Sequence, residues 1–259
     1  MRLALGVEYA GDHFHGWQFQ PHAASVQAKV EQAVSFIADH PVRLICAGRT
    51  DTGVHATAQV CHFDTEAIRP EHSWRLGINS RLPDSVRVSW VKPTSEDFHA
   101  RFSAMSRRYR YIILNRANKS AILNGKVTPC FPALNAKHMH AAAQYLVGKH
   151  DFDAYRTVHC QAKSPIRTMH AIVVHRSGEF IYVDLHANAF LHHMVRNIVG
   201  VLLSIGQGLQ PVDWTQQVLL TRDRTQGGMT ALPDGLYLTH IDYPQHFAIP
   251  APISPPFYG

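Results

Sequence analysis

The sequence predicts an α+β protein made of two successive β-α-β-β-α-β halves. Three observations carry that expectation. Short runs with period-two apolar alternation are separated by runs with helical spacing. The order of these runs is the same in both halves, without residue-level repetition. Finally, 46% hydrophobic against 17% charged residues over 259 positions leaves ample side chain for a buried core.

In the first half, Arg2 to Tyr9 alternates as a strand, and Ser25 is placed to cap a helix with Val26, Val30, Val34 and Ile37 on one stripe. Val42 to Ala47 and Ala58 to Phe63 read as strands, Glu71 to Leu82 as a helix around Trp74 and Ile78, and Val86 to Val91 as a strand. In the second half, Arg108 to Leu114 is a strand with Tyr109, Tyr111 and Ile113 on one face and Arg108 and Arg110 on the other. Asn135 is placed to cap a helix whose apolar side is Met139, Ala142, Ala143 and Leu146, and Gly148 sits where a left-handed C-terminal residue is favoured. Met169 to His175 and Phe180 to His186 read as a hairpin through Ser177-Gly178. Leu191 to Ile205 is a helix and Leu236 to Ile241 the last strand, with a short extra helix, Trp214 to Leu220, behind Asp213, which is placed to cap it. Each half thus follows the split β-α-β order of ferredoxin-like folds.

The expected subdomains are 1–103, which carries a polar loop discussed below, and 104–259, which ends in an irregular tail containing Pro244, Pro250, Pro252, Pro255 and Pro256. The boundary belongs near Phe98 to Ser106. No Gly/Ser-rich or Pro-rich linker separates the halves, so two packed antiparallel sheets with a cleft between them are expected.

Composition narrows the function. Lys and Arg number 25 against 19 Asp and Glu, giving +6 with a pI near 9.3, which fits an anionic partner such as a nucleic acid but is shared by many unrelated enzymes. Cys46, Cys61, Cys130 and Cys160 form no C-x-x-C, so a reducing cytoplasmic location without disulfides is the natural reading. Glu8 interrupts the N-terminus before any signal-length apolar run, and no membrane helix is expected. The 19 histidines include the close pairs His13 and His15, His138 and His140, and His192 and His193. They form no H-E-x-x-H, finger or deaminase pattern, so no metal site is expected. Walker, dinucleotide-binding and serine-hydrolase signatures are also missing, and with them the usual marks of those chemistries.

Three places can carry chemistry. Between two predicted strands, the loop Ala47-Gly-Arg-Thr-Asp-Thr-Gly-Val-His-Ala56 gathers Arg49, Asp51 and two glycines; an Asp there serves a turn or salt bridge as readily as a reaction. Arg196 interrupts a strongly apolar helix, where it either reaches solvent or pairs with an acid. Tyr109 and Tyr111 among Arg107, Arg108 and Arg110 have the composition that stacks bases and neutralises phosphate, and equally that of a core strand beside surface arginines. An RNA-binding module without chemistry would share the last feature, but would not need the acidic loop. A metal-dependent hydrolase has only the histidine content behind it.

Taken together, Gly48-Arg-Thr-Asp-Thr-Gly-Val-His-Ala56, Arg101-Phe-Ser-Ala104 with Arg107-Arg-Tyr-Arg-Tyr111, and Phe190-Leu-His-His-Met-Val-Arg-Asn197 closely resemble the tRNA pseudouridine synthase A family, as do Tyr9-Ala-Gly11 and Gly16-Trp-Gln18. The resemblance runs from about residue 1 to 245 in matching order. It implies isomerisation of uridine to pseudouridine at positions 38, 39 and 40 of the tRNA anticodon stem-loop, by a homodimer with no metal or organic cofactor. It also implies two ferredoxin-like halves around a central basic cleft. By the same resemblance Asp51 falls on the catalytic aspartate, Arg196 on the arginine that pairs with it, Tyr109 on the tyrosine that stacks on the target base, and Arg49 on a loop arginine that helps extrude it. Thr52 departs from the alanine common in the family, a small exchange beside the aspartate.

Overall fold

A computed structural model describes residues 1–158, 160–251 and 255–258; Pro252 of the predicted irregular tail lies outside the described residues. The protein is α+β, and its chain forms two compact units, Met1–Met105 with Tyr237–Pro256 and Ser106–Leu236 with Phe257–Gly259.

The first unit contains β1 (Arg2–Tyr9), α1 (Val26–Ala38), β2 (Ile45–Cys46), β3 (His55–Asp64), α2 (Glu71–Asn79) and β4 (Val86–Thr94). β1 is flanked by antiparallel β3 and β4, and β2 lies beyond β3, so the order is β4-β1-β3-β2 and each helix-linked pair of strands encloses a third. Alternation puts Leu3, Leu5 and Val7 in the core with Val30, Val34, Trp74 and Ile78, all essentially inaccessible to solvent. Ser25 caps α1 as its sequence position indicates, accepting the Ala28 N–H at 3.3 Å. β2 is much shorter than the six-residue run expected. The Val42 N–H donates to Ser35 Oγ at 2.9 Å and the Leu44 N–H to Glu31 Oε1 at 2.8 Å, so side chains of α1 take donors that a longer strand would give to its ladder.

The second unit contains β5 (Ser106–Asn115), β6 (Thr128–Cys130), α3 (Ala136–Gln144), β7 (Gly148–Asp151), β8 (Ile166–Ser177), β9 (Phe180–Ala187), α4 (Met194–Gly206) and α5 (Trp214–Thr221). Its strands run β5-β9-β8-β7 with antiparallel neighbours, and β6 lies parallel to β5. Gly178, at φ +54°, makes the β8–β9 hairpin turn in the left-handed region that glycine tolerates. Both faces of β5 are buried in its second half, Ile112 and Leu114 as well as Tyr111 and Ile113, and the alternation shows only around Arg110. Tyr111 and Ile113 are buried opposite Val183 and Ile181, while Arg110 on the other face forms a two-pronged ion pair with Asp184 at 2.7 and 2.8 Å.

Three further local expectations need correction. α4 begins at Met194 rather than Leu191, because His193 takes φ +61° and cannot belong to a right-handed helix. Asp213 does not cap α5 with its side chain; it accepts from Gln217 Nε2 at 2.9 Å instead. Gly148 does have positive φ, +110°, but it opens β7 after α3 has already ended at Gln144.

The last strand, β10 (Leu236–Asp242), pairs in parallel with β3, Tyr237 opposite His55 and Leu238 opposite Ala56. The tail after it is mostly irregular but anchored. In the first unit Tyr243 donates its hydroxyl to the Ala100 carbonyl at 2.6 Å and the buried Phe247 meets Phe98 edge-on at 5.1 Å; in the second, Phe257 stacks on Tyr182 at 5.2 Å. Among the described residues no helix is long and apolar enough to cross a membrane.

Candidate active site

The loop between β2 and β3 holds Arg49 exposed and Asp51 half-buried on a backbone fixed from several sides. Gln59, fully buried, donates Nε2 to the Gly48 carbonyl at 2.6 Å. The Thr50 carbonyl accepts the Trp17 N–H at 3.0 Å, and the Thr50 hydroxyl shares a 2.7 Å bond with Tyr9. The Asp51 carbonyl accepts the Val54 N–H at 3.1 Å, closing a turn in which Gly53 has φ +79°. His55, at the start of β3, accepts the Gly11 N–H at Nδ1 (2.9 Å) and stacks on Tyr237 at 4.6 Å. Thr50, Val54 and His55 on either side of Asp51 are therefore held, and its carboxylate is presented from a closed turn.

Close backbone approach explains the early glycines. A Cβ on Gly11 would run into the Val54 carbonyl, and one on Gly16, which has φ +87°, would come within 2.7 Å of the Thr50 carbonyl oxygen. The thiols at the stem of this loop are not competing nucleophiles: burial pushes Cys46 up to about 11 and Cys61 well up from its ordinary value, so both stay protonated near neutral pH.

The second unit positions Tyr109 and Arg196. Tyr109 is half-buried on β5, with Phe190 edge-on at 4.9 Å, so its ring orientation is constrained from one side. Two residues along the same face, Tyr111 is inaccessible and donates to the Leu232 carbonyl at 2.7 Å while bonding Thr128 Oγ1 at 2.6 Å. Burial raises its phenol well above the usual range, which keeps it a hydroxyl donor. Tyr111 is thus a structural residue, and of the two tyrosines in the motif only Tyr109 has exposed ring to offer. Arg110 is engaged with Asp184, so it is an ion-pair partner first. On the first turn of α4, Arg196 donates Nε to the Ala231 carbonyl at 2.7 Å, and its own carbonyl accepts the Ala231 N–H at 3.1 Å. The structure thus brings Arg49 and Asp51 onto one fixed loop, and ties the strand of Tyr109 and the helix of Arg196 to one segment, 231–232.

Sequence reasoning gave no role to Asn197, Arg224 and Thr230, which surround that segment. Gly200, in the middle of an apolar helix, was the available signal, since a helical glycine often marks close backbone approach. A Cβ there would strike the Met229 carbonyl.

Residues 6–103 and 142–244 match the family model described as tRNA pseudouridine synthase. The chain belongs to that family. It isomerises uridine to pseudouridine in tRNA. Among curated relatives, tRNA pseudouridine synthase A of Pseudoalteromonas atlantica is 57% identical over 250 residues, covering 96% of this chain and 95% of the relative. The protein of that name from Histophilus somni (strain 129Pt) is 53% identical over 260 residues, covering 100% and 97%. A solved archaeal box H/ACA sRNP Nop10-Cbf5 complex is similar at a TM-score of 0.37 and 9% identity, covering 78% of this chain and 44% of that one.

Proposed function

We propose that this synthase modifies positions 38, 39 and 40 of the anticodon stem-loop, with Asp51 as its nucleophile. The observation that carries the reading is Asp51 itself, a half-buried carboxylate on a turn whose Gly48, Thr50 and Asp51 carbonyls are engaged, in a chain whose partner is polyanionic. A carboxylate facing phosphate is unfavourable for mere binding and useful for chemistry.

The reaction is an isomerisation. The N1–C1′ bond breaks, the uracil turns, and a C5–C1′ bond forms; C5 loses its proton to solvent and N1 gains one. The Asp51 carboxylate serves as the nucleophile or charge partner during the break, and Arg196 is the arginine that pairs with it. The target base must leave its stack at a cost of a few kcal/mol, and stacking on Tyr109 returns roughly 1–3 kcal/mol. Arg49, exposed on the Asp51 loop, takes part in extrusion. Phosphate contacts from exposed Lys and Arg supply affinity without sequence information, which suits an enzyme acting on many tRNAs. The working form is a homodimer.

The test is incubation with an unmodified tRNA carrying uridines at 38, 39 and 40, without added cofactor, followed by carbodiimide labelling and primer extension. Stops at those positions are expected; pseudouridine only elsewhere in the tRNA would overturn the positional assignment. Light scattering on an eluting sample should give twice the 29.1 kDa chain mass.

A further inference from the structure

We infer that Asn197, Thr230 and Arg224 form a clamp that positions the guanidinium of Arg196, and that Thr230 sets turnover without touching the RNA. The inference deepens the reading above, because it rests on Arg196 serving the reaction.

The geometry is a closed circuit of bonds. Asn197, 2% exposed, donates Nδ2 to the Tyr155 carbonyl at 2.8 Å. Its Oδ1 accepts twice, from the Thr230 hydroxyl at 2.7 Å and from Arg224 Nη2 at 3.1 Å. Arg224 Nη2 also donates to Thr230 Oγ1 at 3.0 Å, so the hydroxyl accepts from the arginine and donates to the amide. Each of these atoms has a defined role, which makes the network rigid.

Its output is the place of residue 231. Three consecutive residues are gripped from two elements: Thr230 by Asn197 of α4, Ala231 by both backbone and Nε of Arg196 of α4, and Leu232 by Tyr111 of β5. Gly200 and Gly228 let the segment lie directly on α4; a Cβ on Gly228 would come within 2.8 Å of the Gly200 carbonyl oxygen. The Ala231 carbonyl aims the guanidinium, and Thr230 fixes that carbonyl. Catalysis is sensitive to displacements of about 1 Å, so a small shift at residue 230 reaches turnover through Arg196. A stability role alone would affect unfolding and leave Arg196 indifferent.

The experiment is a double-mutant cycle on the full-length protein, with single-turnover pseudouridine formation on tRNA, apparent tRNA affinity and thermal unfolding measured for each variant. Thr230→Val keeps the shape and removes only the hydroxyl. It should lower the rate about tenfold with tRNA affinity unchanged, and Thr230→Ser should return it to within about twofold. In an Arg196→Ala background the valine should cost less than about twofold more, because the group it positions is gone. A wild-type rate for Thr230→Val, or a full tenfold loss repeated in the Arg196→Ala background, would overturn the clamp. If Thr230→Val does not fold, Arg224→Gln removes two of the same bonds and is held to the same two criteria. A wild-type rate for Arg196→Ala would instead overturn the underlying role of Arg196, so the two failures are distinct.

Discussion

The loop that carries Asp51 and the segment that holds Arg196 achieve rigidity in opposite ways. Residues 47–54 are held largely by main chain brought very close to main chain, at Gly11 against Val54 and Gly16 against Thr50, with Tyr9, Gln59 and His55 adding bonds around them. Residues 228–232 are held largely by side chains, Asn197, Arg224, Arg196 and Tyr111, with glycine contacts at their first two residues, Gly228 against Gly200 and Met229 against Gly200. Glycine contacts have almost no slack, since any Cβ must displace a carbonyl. Side-chain clamps respond in steps, one bond at a time. The turn that carries Asp51 is therefore the less tolerant of substitution, and the placement of the Arg196 guanidinium can be tuned.

The largest effect should come from Gly11→Ala. The new methyl cannot coexist with the Val54 carbonyl, so the turn behind Asp51 must move, and a loss of about 100-fold in single-turnover rate is expected with the helical circular dichroism retained. Gly200→Ala sharpens the other side of the comparison. Alanine favours a helix by about 1 kcal/mol, yet collision with the Met229 carbonyl should leave a net destabilisation of about 2 kcal/mol in urea unfolding. Gly16→Ala follows at about 1 kcal/mol, from left-handed strain plus the 2.7 Å approach to Thr50; a neutral result would show that the first loop has slack after all.

The smallest and most graded effect is with pH. His62, on β3, accepts the Ala100 N–H at 3.1 Å, and burial, followed by the nearby Arg2, pushes it down from 6.5 to about 4. The unfolded chain therefore takes up a proton that the folded one resists between those values. This contribution to stability is complete above about 6.5 and is lost as pH falls toward 4. Urea midpoints should decline across that window, and His62→Gln should flatten the decline.

Much of this architecture was legible because it follows from local patterns. The Val26, Val30, Val34 stripe gives α1, the Ser177-Gly178 pair gives the hairpin, and alternation along β5 separates Tyr111 from Arg110. What was not legible depends on partners distant in sequence. Val42 and Leu44 look like strand residues until Ser35 and Glu31 take their donors. Period-two alternation finds β10 but says nothing of its parallel pairing with β3. The motif marks Arg196, yet its acceptor is 35 residues away, and Asn197 meets Thr230 across 33. Polar contacts of that range leave no periodicity, and only the glycines that permit them are visible.

The most direct measurement uses tRNA labelled with tritium at C5 of uridine, since forming the C5–C1′ bond releases that hydrogen to water. With wild-type enzyme, release should match pseudouridine formed at positions 38 to 40. Asp51→Asn should release none above background while retaining the tRNA on a filter at near wild-type affinity. Tritium release by Asp51→Asn at a rate approaching wild type would contradict the assignment of Asp51 as the nucleophile.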